Sequence, residues 1–96
     1  MAKRLLEWSG PAQRDQQNIT RFYASEASIF IADEALLAIQ AAGEQSRKSP
    51  LLYREGKRRG TREHVMRRFP YIIVFKVTPE KVIVLRVLHQ AMRYFN

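Results

Sequence analysis

Residues 71–88 read YIIVFKVTPEKVIVLRVL, and their pattern predicts the centre of a β-sheet. Two runs rich in β-branched and aromatic residues, 71–77 and 82–88, predict two strands, because such side chains pack well on a pleated surface. Between them Pro79 suits the second position of a tight turn. No helix-length polar spacer separates the runs, so the strands are predicted to pair as a hairpin. Their nearly continuous apolar character predicts central strands covered on both faces for part of their length.

The residues immediately before this hairpin predict one more strand and a loop. Thr61–Arg67 has the composition of a third strand. Residues 50–60 change character, because Pro50, Gly56 and Gly60 punctuate them and basic side chains fill the intervals. We therefore expect an exposed basic loop that leads into the sheet.

Two helices are predicted on the N-terminal side of that loop. Either of the two residues before Pro11 can cap the first helix, which runs to about Tyr23. Ser25 is predicted to cap the second helix, which covers about 26–47. The apolar positions at helical spacing are Ala12, Ile19, Phe22 and Tyr23 in the first helix and Ile29, Ala32, Leu36 and Ile39 in the second, where Phe30 and Leu37 widen the stripe.

A short strand at residues 4–8 completes the element order β-α-α-β-β-β. This order predicts a single α+β domain over residues 1–96, with a mainly antiparallel sheet and a helical hairpin packed on one face. The first strand joins the sheet only after the chain has passed through both helices, so the sequence does not determine which strand it pairs with. Trp8, at the end of this strand, is predicted to pack in the core.

The composition restricts the partners and the compartment. The 17 Lys and Arg residues exceed the nine Asp and Glu residues, which gives a net charge of +8. Such a charge on a small surface attracts nucleic acid, acidic lipid or an acidic protein. Cysteine is absent, so neither disulfides nor thiol chemistry is expected. The sequence shows no secretory signal and no apolar run of membrane-spanning length, so we predict a cytoplasmic protein without a membrane partner.

Four segments carry a more specific signal through their order and spacing. They are Leu6 to Ser9 (LEWS) followed by Ala12, Asp15, Ile19 and Phe22-Tyr23; Gly60 to Val65 (GTREHV); Arg68 to Val77 (RFPYIIVFKV); and Val84 to His89 (VLRVLH). Together they resemble the ParE/RelE superfamily of type II toxin–antitoxin toxins, in its ParE-like branch. The resemblance covers nearly the whole chain and implies the same element order.

The resemblance also implies partners. A family toxin is held inactive, in a hetero-oligomer, by a cognate ParD-like antitoxin whose extended C-terminal segment wraps the toxin. Such antitoxin segments are often acidic, which suits a basic toxin. The superfamily contains DNA gyrase inhibitors and ribosome-dependent mRNA endoribonucleases. The amino-acid sequences of the central and last strands resemble those of ParE most, which favours gyrase as the target. Cleavage of mRNA on the ribosome is the alternative, and another target is a third possibility.

An endoribonuclease needs an acid, a base and cations for the phosphate. The candidates are Glu63 or His89 as base or acid, Arg62, Arg68 and Arg86 for the phosphate, and Tyr94 as a late acid or a base-stacking platform. Each also has a plainer interpretation. Strand alternation puts Arg86 with Val84 and Leu88, and His89 on the opposite face. Glu63 is then the partner of a nearby arginine, His89 a hydrogen-bonded residue at a strand end, and Tyr94 a cover for the core edge.

The stretch 54–68 is the strongest electrostatic feature of the chain. It carries seven positive charges and two negative ones, a local excess of five. As a binding surface for the target or the antitoxin it contributes Arg54, Lys57, Arg58, Arg59, Arg62, Arg67 and Arg68. Arg93 joins this set, because relatives carry a basic pair after the last strand and only this member is present here. The tail of residues 92–96 is hypothesised to contact the target or to control that contact.

Metal and cofactor sites are not predicted. His64 and His89 are the only histidines, and neither has a second ligand at metal-binding spacing. Gly56 and Gly60 lack a phosphate-cradling pattern and are expected to serve the turn before the strand.

Overall fold

The computed structural model describes residues 3–91, which form two helices and a five-stranded mixed sheet. The elements are β1 (Leu5–Trp8), α1 (Gly10–Glu26), α2 (Ile29–Lys48), a 3₁₀ turn (Pro50–Leu52), β2 (Arg54–Glu55), β3 (Arg62–Val65), β4 (Tyr71–Val77) and β5 (Lys81–His89). The strand order across the sheet is β1-β5-β4-β3-β2. The predicted α+β class and helical hairpin are confirmed.

The hairpin of β4 and β5 forms the centre of the sheet, as predicted. β3 continues the antiparallel pairing on one side of β4. On the other side β1 pairs parallel to β5, with Leu5 opposite Lys81 and Trp8 opposite Val84. A parallel neighbour needs a long crossover, and the helical hairpin between β1 and the later strands supplies it. The neighbour that the sequence left open is therefore β5.

A β-bulge in β5 alters the predicted alternation. Phe75 faces Val84 and Val74 faces Arg86, so Leu85 is the extra residue between two regular stretches. An extra residue shifts every later side chain to the other face. Val84 is buried beneath the helices while Arg86 is exposed, so the predicted grouping of these two residues on one face is wrong.

Both helices begin at serine caps. The Ser9 hydroxyl accepts a hydrogen bond from the Ala12 amide at 3.2 Å, and the Ser28 hydroxyl accepts one from the Ile31 amide at 3.1 Å. The cap predicted at Ser25 is wrong, because α1 continues to Glu26 and Ser28 provides the N-cap of α2 instead. The sequence offers two serines three residues apart, and helical spacing alone does not choose between them.

The core lies between the helices and one face of the sheet. Ile39 of α2 belongs to the same hydrophobic cluster as Ile73 and Phe75 of β4, and all three are fully buried. Gly43 allows the backbone of α2 to lie against the Trp8 ring of β1, because a Cβ at this position would be 2.5 Å from that ring. Trp8 packs against the core as predicted.

The second face of the sheet carries no helix of the described residues. Ile72 is buried there, but Val74 and Leu88, the cross-strand partner of Ile72, are partly exposed, so this face is covered only in part. The predicted loop over residues 50–60 contains the 3₁₀ turn and β2, a two-residue strand too short for a periodicity signal. β3 is shorter than the predicted strand Thr61–Arg67.

Candidate functional site

The open face of the sheet brings two of the predicted catalytic residues into one row. Glu63 pairs with Val74, which pairs with Arg86, so the three side chains share a face across three strands. Lys57 and Arg58 reach the same place from the turn after β2. Together with apolar neighbours they line a cavity of about 360 Å³.

Arg86 is held by a carboxylate of α1. Its Nε and Nη2 donate to the two Asp15 oxygens at 2.8 and 3.0 Å, and the Val87 amide donates to the same carboxylate at 2.8 Å. β1 ends opposite Val84, so Asp15 accepts the hydrogen bond that a longer neighbouring strand would accept. The bond to Asp15 raises the pKa of Arg86. Arg86 therefore fastens the first helix to the last strand.

Glu63 is a buried carboxylate with an arginine partner, as predicted. The residue is 6% exposed, and its Oε1 accepts a hydrogen bond from Arg54 Nε at 3.0 Å. Arg54 lies directly opposite on β2. The pair joins the edge strand β2 to its neighbour β3 on the open face.

His89 lies at the end of β5 on the face opposite to Arg86. Its cross-strand partner is Tyr71, whose ring meets the imidazole edge-on at 5.6 Å between centroids. The His89 Nδ1 accepts a hydrogen bond from the Ala91 amide at 3.1 Å. The predicted interpretation as a hydrogen-bonded strand-end histidine is confirmed. Tyr94 and Arg93 lie outside the described residues.

His64 connects the sheet to α2. Its Nδ1 lies 3.1 Å from the Ala42 carbonyl oxygen and 3.0 Å from Ser46 Oγ. The Ser46 hydroxyl already donates to that carbonyl at 2.8 Å, so a protonated Nδ1 satisfies the geometry. The ring stacks on Tyr53 at 4.3 Å. Burial lowers the pKa of His64, although the bond to Ala42 acts in the opposite direction.

This environment predicts a pH dependence of stability. Burial favours the neutral ring, so the contribution of His64 is fully present above the unfolded histidine pKa of about 6.5 and is lost as the pH falls through the lower folded pKa. We expect urea unfolding between pH 8 and pH 5 to show a decreasing free energy of unfolding below about pH 6.5. His64→Gln should reduce this slope, and His89→Gln serves as the control. An unchanged slope in His64→Gln would contradict the assignment.

The predicted basic stretch does not form one surface: Arg54 and Lys57 lie at the open face of the sheet, and the other arginines lie in two further places. Arg58, Arg59 and Arg62 surround one end of the sheet, where Arg4 joins them from before β1. We call this the basic cleft; its volume is about 710 Å³, and its other lining residues are Leu51, Glu55, Gly56, Gly60, Thr61, Val77, Thr78 and Pro79. Arg67 and Arg68 lie elsewhere, beside α2.

A groove runs between α2 and β3. Ala38, Ala41 and Gln45 form its α2 side and residues 64–68 its sheet side, with a volume of about 610 Å³. No described strand pairs with the outer edge of β3 beyond Glu63. Phe30 and Leu37 lie on the same row of α2 as Ala41, and this row forms the rim. We call the groove together with these two rim residues the apolar groove. Arg68 ion-pairs with Glu34 of this row.

The two rim residues correct a prediction. Phe30 and Leu37 were expected to widen the stripe that faces the core, but they are 74% and 64% exposed. Ile29 and Phe22, expected on the buried stripes, are also exposed. The helical hairpin thus presents more apolar surface than the sheet can cover, which is typical of an interaction site.

The described residues form neither a metal-ligand cluster nor a membrane span. Within residues 3–91 no three potential ligand side chains come together. In the same part of the chain no helix combines the length and the apolar character that crossing a membrane requires.

Comparison with known proteins identifies the family. The model of the ParE toxin of type II toxin–antitoxin systems, parDE, matches residues 6–94. The chain belongs to the ParE toxin family. No curated protein sequence matches it significantly.

Two solved structures share the ParE fold seen here. A chain of the chromosomal ParDE toxin–antitoxin system from P. aeruginosa superposes with a TM-score of 0.82 at 19% identity, covering 91% of this chain and 96% of its own. A chain of the RelBE2 toxin–antitoxin complex from Mycobacterium tuberculosis gives 0.65 at 20% identity, covering 92% and 99%. The protein is therefore a type II toxin of the ParE/RelE fold.

Sequence reasoning missed two features of this ParE-family toxin. Arg4 lines the basic cleft, although about 50 residues separate it from the basic stretch along the chain. Asp15 was noted among the family-like residues, but its contact with Arg86 depends on the parallel crossover. Neither contact has a local signal.

Proposed function

We propose that this toxin acts by inhibiting DNA gyrase and that a cognate antitoxin binds and neutralises it. One observation carries the choice of target: the predicted acid–base residues do not face one substrate site. Glu63 and His89, the candidate acid and base, lie on opposite faces of the sheet, and both Glu63 and Arg86 are engaged by internal partners. General acid–base catalysis needs its groups within hydrogen-bond reach of one substrate. A toxin that works by binding needs no such arrangement.

Binding of the antitoxin is assigned to the apolar groove. An amphipathic or extended segment fits such a place, because it can insert apolar side chains beside Leu37 and Phe30 and add backbone hydrogen bonds along the open edge of β3. Arg67 at the groove suits an acidic segment. Both structural relatives belong to toxin–antitoxin systems, and the mycobacterial relative comes from a toxin–antitoxin complex.

The test of the target is a gyrase cleavage assay. Purified full-length toxin is incubated with gyrase, supercoiled plasmid and ATP, and the DNA is examined after protein digestion. We expect linear DNA that requires both toxin and gyrase and that disappears when the cognate antitoxin is added in excess. Absence of linear DNA, with a folded toxin that binds its antitoxin, would contradict the proposed target.

Cleavage of mRNA is kept as the second function because Glu63 and Arg86 line one cavity with Lys57 and Arg58. The discriminating variant is Glu63→Gln, because Glu63 is the candidate acid or base that lines this cavity, and His89→Ala, whose side chain points away from it, is the control. Under gyrase inhibition, Glu63→Gln should keep its toxicity in growing cells. If it loses toxicity while antitoxin binding is intact, and the wild-type toxin cleaves ribosome-bound mRNA, the ribonuclease function replaces the proposal.

A further inference from the structure

The basic cleft lies outside the apolar groove to which antitoxin binding is assigned. Four arginines line it, against the single acid Glu55 among its described lining residues. The cleft lies near the C-terminal end of α2, since Leu51 lines it and Arg47 donates to the Arg4 carbonyl oxygen. The apolar groove and the cleft share no lining residue, so they are distinct surfaces.

None of the four arginines is neutralised by an ion pair among residues 3–91. Arg4 Nε donates to the Thr78 carbonyl at 2.9 Å, and Arg62 Nη1 donates to the Tyr53 carbonyl at 2.7 Å. Carbonyl partners orient a guanidinium without cancelling its charge, and each fork keeps further donors. Two oriented cations thus line the cleft, with exposed Arg58 and Arg59 beside them.

The turn that carries Arg58 and Arg59 is held in one conformation. The Thr61 amide and hydroxyl both donate to the Arg58 carbonyl, at 3.1 and 2.6 Å. Gly60 supplies the left-handed residue of this turn, with φ +80°. The Gly56 amide closes the base of the turn by donating to the Thr61 carbonyl at 2.8 Å. A short basic ribbon, residues 54–63, therefore projects two arginines from a fixed tip.

We propose that the basic cleft and the tip of this ribbon bind the phosphate backbone of duplex DNA without reading its sequence. Fixed arginine forks suit phosphate oxygens, and backbone contacts supply most non-specific affinity. A two-stranded ribbon also fits the major groove of B-DNA, which is about 12 Å wide. For its cellular setting the proposal rests on gyrase inhibition: the duplex is the one that gyrase holds.

Single-stranded nucleic acid fits this surface less well. Recognition of unpaired bases uses aromatic side chains as stacking platforms. Residues 54–63 contain no aromatic residue, and neither do the described residues that line the cleft. Duplex RNA is also disfavoured, because its deep and narrow major groove does not admit a ribbon.

Fluorescence anisotropy measures the binding of full-length toxin to a labelled DNA duplex over a range of KCl concentrations. A duplex of about 20 base pairs is long enough for several phosphate contacts. Arg58→Gln/Arg59→Gln is compared with Arg14→Gln/Arg21→Gln, which removes the same charge from the exposed side of α1. We expect at least tenfold weaker binding for the cleft pair and less than threefold for the control. The slope of log affinity against log salt should fall by about two for the cleft pair, at roughly 0.9 for each lost phosphate contact. Arg58→Lys/Arg59→Lys should retain most of the binding, and circular dichroism verifies folding.

Several outcomes would overturn the proposal. Equal losses in the two glutamine pairs would mean that net charge alone attracts DNA. Tighter binding of a single-stranded RNA of the same length, or displacement of the duplex by poly-L-glutamate at equal charge, would assign the cleft to RNA or to an acidic protein. Linear DNA in the gyrase assay without any duplex binding would leave gyrase inhibition standing and remove this inference. Duplex binding that depends on the cleft, without DNA cleavage by gyrase, would support this inference and contradict gyrase inhibition.

Discussion

Leu37→Glu is expected to weaken antitoxin binding by about 100-fold, and Phe30→Glu by a similar factor. Both side chains are exposed on the rim of the apolar groove, so the substitutions leave the core of the toxin intact. Apolar anchors at the centre of an interface each contribute about 2 kcal/mol or more, roughly a 30-fold change in Kd. A carboxylate at such a position also repels an acidic partner and must lose its water on binding.

Isothermal titration with the cognate antitoxin measures this effect. Leu5→Glu is the matched control, because Leu5 is similarly exposed at 67% but lies on β1 at the opposite edge of the sheet. Its Kd should change less than threefold. In growing cells Leu37→Glu should remain toxic when the antitoxin is present. If Leu37→Glu binds the antitoxin like the wild type, the groove is not the docking site.

Phe75→Ala is expected to lower the free energy of unfolding by about 4 kcal/mol, the usual cost when a buried phenylalanine is truncated. Phe75 is fully buried at the centre of β4, and Tyr53 meets its ring edge-on. A domain of this size has a total stability of about 5–15 kcal/mol, so one substitution removes a large share. Urea unfolding followed by circular dichroism gives the value.

Phe22→Ala makes the same chemical change on the surface, where Phe22 is 53% exposed. Its cost should be below about 1 kcal/mol, since surface substitutions disturb little packing. Similar losses in the two variants would mean that Phe75 does not occupy the core position described here.

Periodicity predicted the elements that the core holds together. The β4–β5 hairpin and both helices follow from apolar spacing, because burial of those side chains is what stabilises them. The bulge at Leu85 has no such signal, because a continuous apolar run does not indicate which face of the sheet each side chain occupies. The exposure of Leu37 was also missed, because a partner that covers an apolar side chain leaves the same pattern as a core.

The functional contacts were predicted less well than the elements that carry them. Glu63 was correctly expected to pair with an arginine, since cations surround it in the sequence. The Asp15–Arg86 pair joins residues 71 positions apart, and Arg4 reaches the basic cleft only because β1 pairs with β5. Contacts of this kind depend on topology, which local spacing does not encode.

The parallel pairing of β1 with β5 affects the order in which the toxin folds during its synthesis on the ribosome. Leu5 pairs with Lys81, so the first strand emerges long before its only described neighbour is synthesised. Contacts this distant in sequence form late and slowly. A nascent chain that stops before β5 has no completed sheet and no bond between Asp15 and Arg86. We therefore expect toxicity to begin only after translation passes His89, which gives an antitoxin already present in the cell an interval in which to meet a chain that is not yet harmful.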